Sequence, residues 1–213
     1  MPFTGRPMPD SPRMRPAYQG SNPISDVWSL QALRMVAQYL IRAVADPSDD
    51  EARSQMLLAA SYAGVGFGNA GVHLPHGMSY PVSGHVKSYR APGYTSDHAL
   101  VPHGISVILN APAVFRYTAS VNPERHLHAA EALGANVSGV KAADAGEVLA
   151  DRITWFMREL KVPNGLKAVG YSSSDIPMLV EGTLPQHRVT KLSPRPANQD
   201  DLATLFENAM TAY

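Results

Sequence analysis

The sequence has 213 residues, 45% of them hydrophobic and 17% charged, which is typical of an ordinary globular chain with room for one sizeable core. Lys plus Arg equals Asp plus Glu at 18 each, and no window approaches about 18 unbroken apolar residues, so we expect neither nucleic acid nor a membrane as a partner. The absence of cysteine excludes disulfides, thiolate metal sites and cysteine nucleophiles.

Residues 1–24 are predicted to form a proline-rich extended loop. Arginines in this segment suggest an organellar presequence, but five prolines within residues 2–16 would break the amphipathic helix that a presequence needs. An intact domain seldom begins with such a loop. We therefore divide the chain into a loop, 1–24, that is expected to be internal to a longer protein, and a helical domain, 25–213.

Two helices are predicted after this loop. Apolar residues recur at helical spacing over residues 27–44, with Ser25 as the predicted N-cap and Asp46 at the stop. Ser48 and Glu51 have capping-box spacing and predict the start of the second helix.

The middle of the chain contains a small-residue segment and a polar loop. Alanine and glycine dominate residues 59–72, which favours a tightly packed buried helix; its glycines lack the spacing of a dinucleotide-binding turn. Pro75 is expected to interrupt the helix that follows. Residues 83–100 are polar and rich in turn formers, and a single buried helix is predicted from His103 through residues 105–115.

The remaining segment also predicts helices rather than strands. The signals are caps or stops at Asn122, Gly134, Ser173 or Ser174, and Asn198, and an apolar stripe over residues 148–160. Alternation with a period of two is hard to find anywhere. The sequence therefore predicts an all-α protein with about eight helices.

Eight histidines are the main candidates for chemistry. His126, His128 and His187 lie among charged residues and are predicted to be surface groups, while His85 and His98 flank the polar loop and receive no assignment.

Three histidines have a different setting. His73 and His76 are three residues apart, so on a helix they would share a face in an apolar segment. His103 begins an apolar helix, where the helix terminus favours the neutral ring that a metal ligand requires. These residues indicate a metal site built from His76 or His73 together with His103. The alternative is a pair of hydrogen-bonded core histidines.

At these positions the sequence resembles the iron-containing alcohol dehydrogenases. The resemblance rests on FGNAGVHLPHGMSYPVSG followed by VPHGISVILNAPAVF, and it covers essentially the whole chain. Further segments resemble the hydroxyacid–oxoacid transhydrogenase branch of that family: YQGSNPISD (18–26), DHALVPHG (97–104), PERHL (123–127) and GTLPQHRVTKLSPRP (182–196).

The resemblance implies a ligand set and a fold. His76 and His103 occupy the positions of two ligands of the catalytic divalent metal, Fe²⁺ or Zn²⁺, whereas His73 falls where the family has no ligand. Many members have a second histidine four residues after the first ligand; this chain has Tyr80 there, a poor base, and Tyr80 is expected to line the nicotinamide side of the pocket. The implied fold is the multi-helix C-terminal domain of the dehydroquinate synthase-like fold.

The resemblance also implies a reaction. Hydride would pass from 4- or 3-hydroxybutyrate to a nicotinamide, NAD(P), and then to 2-oxoglutarate, giving 2-hydroxyglutarate. Lys87, Arg90 and Arg125 lie near the motifs and are candidate anchors for a substrate carboxylate, although solvated surface charges are the simpler interpretation.

The family has a second half that this sequence does not contain. Its N-terminal part binds the dinucleotide and supplies two further ligands from an Asp-x-x-x-His pair, which does not occur upstream of His76. We therefore expect a truncated or split chain that is inactive alone and needs the N-terminal dinucleotide-binding half. The resemblance also suggests a homodimer, located in the mitochondrial matrix of a eukaryote or in the cytoplasm of a bacterium.

Two other functions remain open from the sequence. One is an ordinary NAD-dependent alcohol dehydrogenase that uses free cofactor. The other is a non-catalytic helical module that binds a partner or stores metal. Convergence of the His76 and His103 side chains to within about 5 Å would favour the dehydrogenase heritage over the module.

Overall fold

The computed structural model describes residues 20–213 together with Asp10, Ser11, Arg13 and Tyr18. The predicted loop 1–24 lies mostly outside the described residues. The helices are α1 (Pro23–Ala45), α2 (Asp50–Ala70), α3 (Leu74–Gly84), α4 (His103–Ile108), α5 (Ala111–Ala119), α6 (Pro123–Ala132), α7 (Ala145–Glu159), α8 (Ile176–Thr183), α9 (His187–Thr190) and α10 (Gln199–Asn208). Short 3-10 turns span Ala142–Asp144, Leu166–Val169 and Ser173–Asp175.

The all-α prediction is confirmed. Among the described residues, the β-type pairing consists of one isolated bridge between Arg90 and Leu100, inside the predicted polar loop. None of the helices in the described part is both long and apolar enough to cross a membrane.

The described residues divide into two compact units, the first comprising those up to residue 72 with 132–134 and the second residues 73–131 with 135–213. In the first unit, α1 and α2 pack through small side chains. A Cβ atom at Gly66 would lie 2.2 Å from Oγ of Ser29, so the two helices approach closely only because position 66 is a glycine. The close approach fits the predicted tight packing, but the predicted burial of residues 59–72 is wrong: of these, Ala59 and Gly66 are buried, whereas Val65 and Phe67 are about half exposed.

The ends of α1 and α2 differ from the prediction. Asn22, not Ser25, caps α1, because Pro23 occupies the first helical position and the Asn22 side chain accepts from the Ser25 amide at 3.0 Å. The Asn22 amide also donates to Oδ1 of Asn69 at 2.8 Å, which ties the start of α1 to the end of α2. At α2 the cap is Asp49 rather than Ser48.

The second unit contains most of the large core side chains. Fully buried members come from α3, α7, α8 and α10 and from the turns between them: Leu74, Met78, Met157, Leu166, Leu179, Leu205 and Phe206. The prediction of a single helix from His103 is wrong. The segment forms two helices, α4 and α5, and Pro112 lies in the first turn of α5. A proline there lacks the amide that would continue α4.

The later elements follow their sequence signals more closely. The apolar stripe over residues 148–160 forms α7, and Asn198 caps α10 in a capping box with Asp201. Ser172, one residue before the predicted Ser173 or Ser174, caps the 3-10 turn that leads into α8.

Candidate metal centre

His76 lies in the first turn of α3. Pro75, expected to interrupt this helix, instead occupies its second position, where a missing amide costs nothing because the first-turn amides have no intrahelical partner. The buried residues Leu74, Met78 and Val82 are spaced four apart and form one face of the helix. His76 and Tyr80 are also four apart but offset by two residues, so they share the opposite face and both are half-buried.

His103 is the first residue of α4, directly after Pro102. The backbone of Pro102 is extended, with φ −56° and ψ 145°, so the helical conformation begins at His103. The His103 side chain is exposed. The hydroxyl of Ser106, which is fully buried, donates to the His103 carbonyl oxygen at 2.8 Å and fixes the first turn of the helix.

The two histidines converge although 27 residues separate them in sequence. Their ring centroids are 5.3 Å apart and their planes meet at 61°. With metal–nitrogen bonds of about 2.1 Å at a tetrahedral angle, the ring centroids of a shared site lie roughly 5 Å apart. The separation therefore fits two imidazoles on one metal ion. It is close to the separation of about 5 Å expected from the sequence for a dehydrogenase-type site.

The electrostatics favour a neutral His76 ring. Burial lowers the pKa of His76 below its usual value of 6.5, and the neighbouring His103 lowers it further. A lower pKa keeps the His76 lone pair available for a metal at neutral pH. Within the part of the chain that the structure describes, no cluster of three or more His, Cys, Asp or Glu side chains could hold a metal ion. The candidate site in the described residues is therefore limited to the two rings of His76 and His103.

Comparison with known proteins decides the family. The C-terminal region of the Fe-containing alcohol dehydrogenase family matches residues 17–210. The chain belongs to this family. The mitochondrial hydroxyacid-oxoacid transhydrogenase of Rattus norvegicus is 60% identical over 100% of this chain, and that of Homo sapiens is 61% identical over 97%.

This member of the iron-containing alcohol dehydrogenase family spans about half of its relatives. It covers 46% of the rat protein and 44% of the human one. Among solved structures, 1,3-propanediol oxidoreductase is 30% identical with a TM-score of 0.79, over 91% of this chain and 48% of that one. The alcohol dehydrogenase from Oenococcus oeni is 25% identical with a TM-score of 0.80, over 91% and 47%. The fold is therefore that of the C-terminal helical domain of the family.

Tyr80 follows His76 by one turn of α3. It lies on the same face of α3 as His76, and none of the described residues hydrogen-bonds its hydroxyl. The hydroxyl is therefore available to a bound molecule as a hydrogen-bond donor.

His73 is excluded from the helix that carries His76. α3 begins at Leu74, so His73 is its N-cap residue, and the predicted shared helical face is wrong. Its Nδ1 is buried with no hydrogen-bond partner, and its ring meets Phe115 edge to face at 6.1 Å. Burial, then the nearby His126 and His76, lower the pKa of His73 to about 4. At neutral pH His73 is therefore an uncharged histidine that packs against Phe115.

The cationic side chains considered as substrate anchors are engaged within the protein. Nζ of Lys87 lies 2.6 Å from Oδ1 of Asp175, and the pKa of that carboxyl is lowered by this contact. Arg90 donates from both terminal nitrogens to backbone carbonyls of its own loop, at 2.6 and 2.8 Å. Arg125 is exposed on α6. The described contacts of Lys87 and Arg90 thus favour loop anchoring over substrate binding.

His126 was predicted to lie at the surface, and this prediction is wrong. It is 7% exposed, its Nδ1 lies 2.8 Å from the Asn122 carbonyl oxygen, and its Nε2 lies 2.9 Å from Oγ1 of Thr118. A carbonyl only accepts, so Nδ1 carries a proton, while the Thr118 hydroxyl near Nε2 also lies 3.1 Å from the Val114 carbonyl oxygen, to which it can donate. The available signal was its spacing to Ala130, four residues later on the buried face of α6.

A cavity lies elsewhere in the second unit. It has a volume of about 550 Å³, between α5 and α10, and is lined by Arg116, Tyr117, Arg195 and Asp201 among others. None of the histidines discussed above lines it, and neither does Tyr80. Volume alone therefore does not identify the site of chemistry in this chain.

Proposed function

We propose that this chain is the metal-binding helical half of a hydroxyacid–oxoacid transhydrogenase, and that His76 and His103 supply two ligands of its catalytic metal. The observation that carries the proposal is the 5.3 Å separation of their rings, which come from different helices and stand where the family resemblance puts ligands. Identity of about 60% across the whole chain to proteins bearing that name supports the branch.

The remaining parts of the site would come from another polypeptide segment. A metal in proteins normally has three or four protein ligands, and this chain contributes two. Relatives named as transhydrogenases are about twice as long. We propose that the additional length supplies the other ligands and the dinucleotide site, and that the exposed side of His103 faces it.

The residues present fit a divalent metal, Fe²⁺ or Zn²⁺, because both accept imidazole nitrogen. Such a metal supplies Lewis acidity that lowers the pKa of a substrate hydroxyl, while NAD(P) carries the hydride. Burial lowers the pKa of His76, so its neutral ring would have a lone pair with which to bind the ion. Tyr80, one turn further along α3, would donate a hydrogen bond on the nicotinamide side and orient the bound molecule there.

The proposed substrates are a small hydroxy acid that gives up a hydride and a small oxo acid that accepts it. The donor would be 4- or 3-hydroxybutyrate and the acceptor 2-oxoglutarate, with the cofactor retained between the two half-reactions. The second candidate is an NAD-dependent alcohol dehydrogenase, which the similarity to 1,3-propanediol oxidoreductase favours. The two candidates differ in whether reduced cofactor is released.

The test is complementation of the chain with the N-terminal half of the rat relative. We expect no turnover from the 213-residue chain with metal, NAD and both acids. With the added half, we expect deuterium from labelled 4-hydroxybutyrate to appear in 2-hydroxyglutarate without accumulation of NADH. His76→Ala and His103→Ala should each abolish the transfer, whereas His128→Ala, at an exposed position on α6, should not.

Three outcomes would contradict parts of the proposal. Turnover by the chain alone would show that no other half is needed. Full transfer and metal content in His76→Ala would remove the proposed ligand. Release of NADH in step with substrate oxidation would replace the transhydrogenase by the alcohol dehydrogenase.

A further inference from the structure

Gly77, the residue that follows His76, allows α9 to approach the backbone of α3 closely. A Cβ atom at Gly77 would lie 2.7 Å from Cγ2 of Thr190 and 3.6 Å from Cγ2 of Val189, both on α9. Non-bonded carbon atoms pack at about 3.5–4.0 Å. Any side chain at position 77 would therefore force α3 and α9 apart.

Thr190 has little freedom to withdraw its methyl group. Its hydroxyl donates to the Gln186 carbonyl oxygen at 3.1 Å, and its branched Cβ restricts rotation about χ1. Val189 beside it is 1% exposed, so α9 is itself held against the core. The close approach of α3 and α9 is thus set by side chains that cannot easily move.

A second contact holds α3 further along. A Cβ atom at Gly182 in α8 would lie 2.7 Å from Cβ of Pro81, whose ring cannot rotate away. The hydroxyl of Tyr171, a residue 4% exposed, donates to the Val82 carbonyl oxygen at 2.7 Å. From Gly77 to Val82, α3 is located by contacts to its backbone and its proline.

Other glycines nearby show that these contacts are specific to position. Gly84 at the end of α3 and Gly104 next to His103 have no heavy atom within 4 Å of a Cβ atom placed on them. Packing therefore requires a glycine at 77 but not at 84 or 104. The segment 182–190, which the sequence shares with the transhydrogenase branch without an evident role, contains both contacting residues, Gly182 and Thr190.

The size of the displacement decides whether it would change the separation of His76 and His103. Moving a Cβ atom at position 77 from 2.7 Å to ordinary contact with Thr190 requires a shift of about 1 Å. Ligand sets work only within roughly 0.5 Å of their productive geometry. Because His76 is the adjacent residue, most of such a shift would reach its ring.

We propose that the Gly77–Thr190 contact is a positioning contact that sets the separation of His76 from His103 for metal binding. Neither residue touches the metal. The inference rests on the proposed function, since it takes these two histidines as ligands of one ion.

The test is a cycle of variants read by Cu²⁺ binding, because imidazole nitrogen binds Cu²⁺ more tightly than the other first-row divalent ions. Cu²⁺ is titrated into the 213-residue chain by calorimetry, and its paramagnetic resonance spectrum reports the bound nitrogens. A His76→Ala/His103→Ala double variant gives the background from the other histidines. Gly77→Ala should weaken binding about tenfold or more.

Rescue distinguishes positioning from loss of structure. Thr190→Ser removes the Cγ2 methyl and keeps the hydroxyl bond, so Gly77→Ala/Thr190→Ser should bind Cu²⁺ within about threefold of the parent. Gly84→Ala, the matched control on the same helix, should bind normally. If Gly77→Ala fails to fold, Gly182→Ala applies the same kind of displacement through α8, and Pro81→Gly, which removes the contacting Cβ atom, is its rescue.

The outcomes separate the two proposals. Cu²⁺ binding by the parent no stronger than that of the double histidine variant would contradict the metal pair and the positioning contact with it. Normal binding by Gly77→Ala would contradict the positioning contact and leave the metal pair standing. Weakened binding that Thr190→Ser does not restore would also contradict it.

Discussion

His73 should make the folded chain sensitive to mild acid. Its ring sits against Phe115 with a buried, unpaired Nδ1, and burial and then the neighbouring His126 and His76 lower its pKa to about 4 from an ordinary 6.5. Between these two values the unfolded chain binds a proton that the folded chain does not. The contribution of His73 is therefore fully present above about pH 6.5 and is lost progressively as the pH falls toward 4.

The magnitude follows from the two pKa values. Each pH unit within the window removes about 1.4 kcal/mol of unfolding free energy, so lowering the pH from about 7.5 to about 5 removes roughly 2 kcal/mol through His73 alone. His126, whose pKa is also lowered by burial, acts in the same direction. His73→Phe keeps an aromatic ring against Phe115 and removes both the proton site and the unpaired nitrogen.

The assay is urea unfolding of the parent and His73→Phe at the two pH values. We expect the variant to lose roughly 2 kcal/mol less than the parent on acidification and to be at least as stable near pH 7.5. His128→Phe, at an exposed position, should keep the pH dependence of the parent. An identical loss on acidification in parent and His73→Phe would refute the assignment of acid sensitivity to His73.

Three further substitutions test the packing that supports the site. Gly165→Ala should cost more than about 3 kcal/mol by thermal unfolding, because φ is +75° and a Cβ atom would lie 2.4 Å from the Met210 carbonyl oxygen; a smaller loss would mean that this turn adjusts. Tyr171→Phe should cost about 1–3 kcal/mol in urea by leaving the Val82 carbonyl oxygen unpaired, and no change would show that another donor replaces the hydroxyl. Asn198→Ala should cost about 1 kcal/mol and increase amide exchange in the first turn of α10, and unchanged exchange there would argue against the cap.

The sequence predicts helices well where either the N-cap residue or the apolar stripe is unambiguous. In α7 the apolar spacing alone locates the buried face, and in α10 the Asn198 cap marks the start. It predicts them less well where two signals compete. Ser25 and Asn22 are both good caps, and the choice falls to Asn22 because Pro23 is suited to a first helical position.

Burial of individual side chains was harder to predict than helix type. The apolar stripe of α1 includes Val27 and Val44, which are 65% and 58% exposed, whereas Ala32 and Met35 form its buried side. His126 was assigned to the surface because its sequence neighbours are charged, yet three-dimensional neighbours Thr118 and the Asn122 carbonyl satisfy both of its nitrogens. Such partners are fixed by the tertiary fold, which local composition does not report.

The candidate site was only partly accessible to reasoning from residues. Helical spacing and apolar surroundings indicated His103 with either His76 or His73, and the family resemblance selected His76. The structure separates them physically, since His73 lies before α3 and packs on Phe115, whereas the His76 ring approaches that of His103. Whether this pair binds metal stays a prediction.

The position of His76 is hard to predict because it lies on α3, a helix that its own sequence does not favour. Pro81 in its interior costs about 3 kcal/mol relative to alanine and Gly77 about 1 kcal/mol. Burial of Leu74, Met78 and Val82, each at most 1% exposed, contributes about 1.5–3 kcal/mol apiece and offsets this cost. The helix therefore exists because its neighbours hold it, and the position of His76 is a property of those neighbours. Local sequence signals can identify such a candidate ligand but cannot locate it in space, so a substitution at Gly182 on α8 should alter metal binding as one at Gly77 on α3 does.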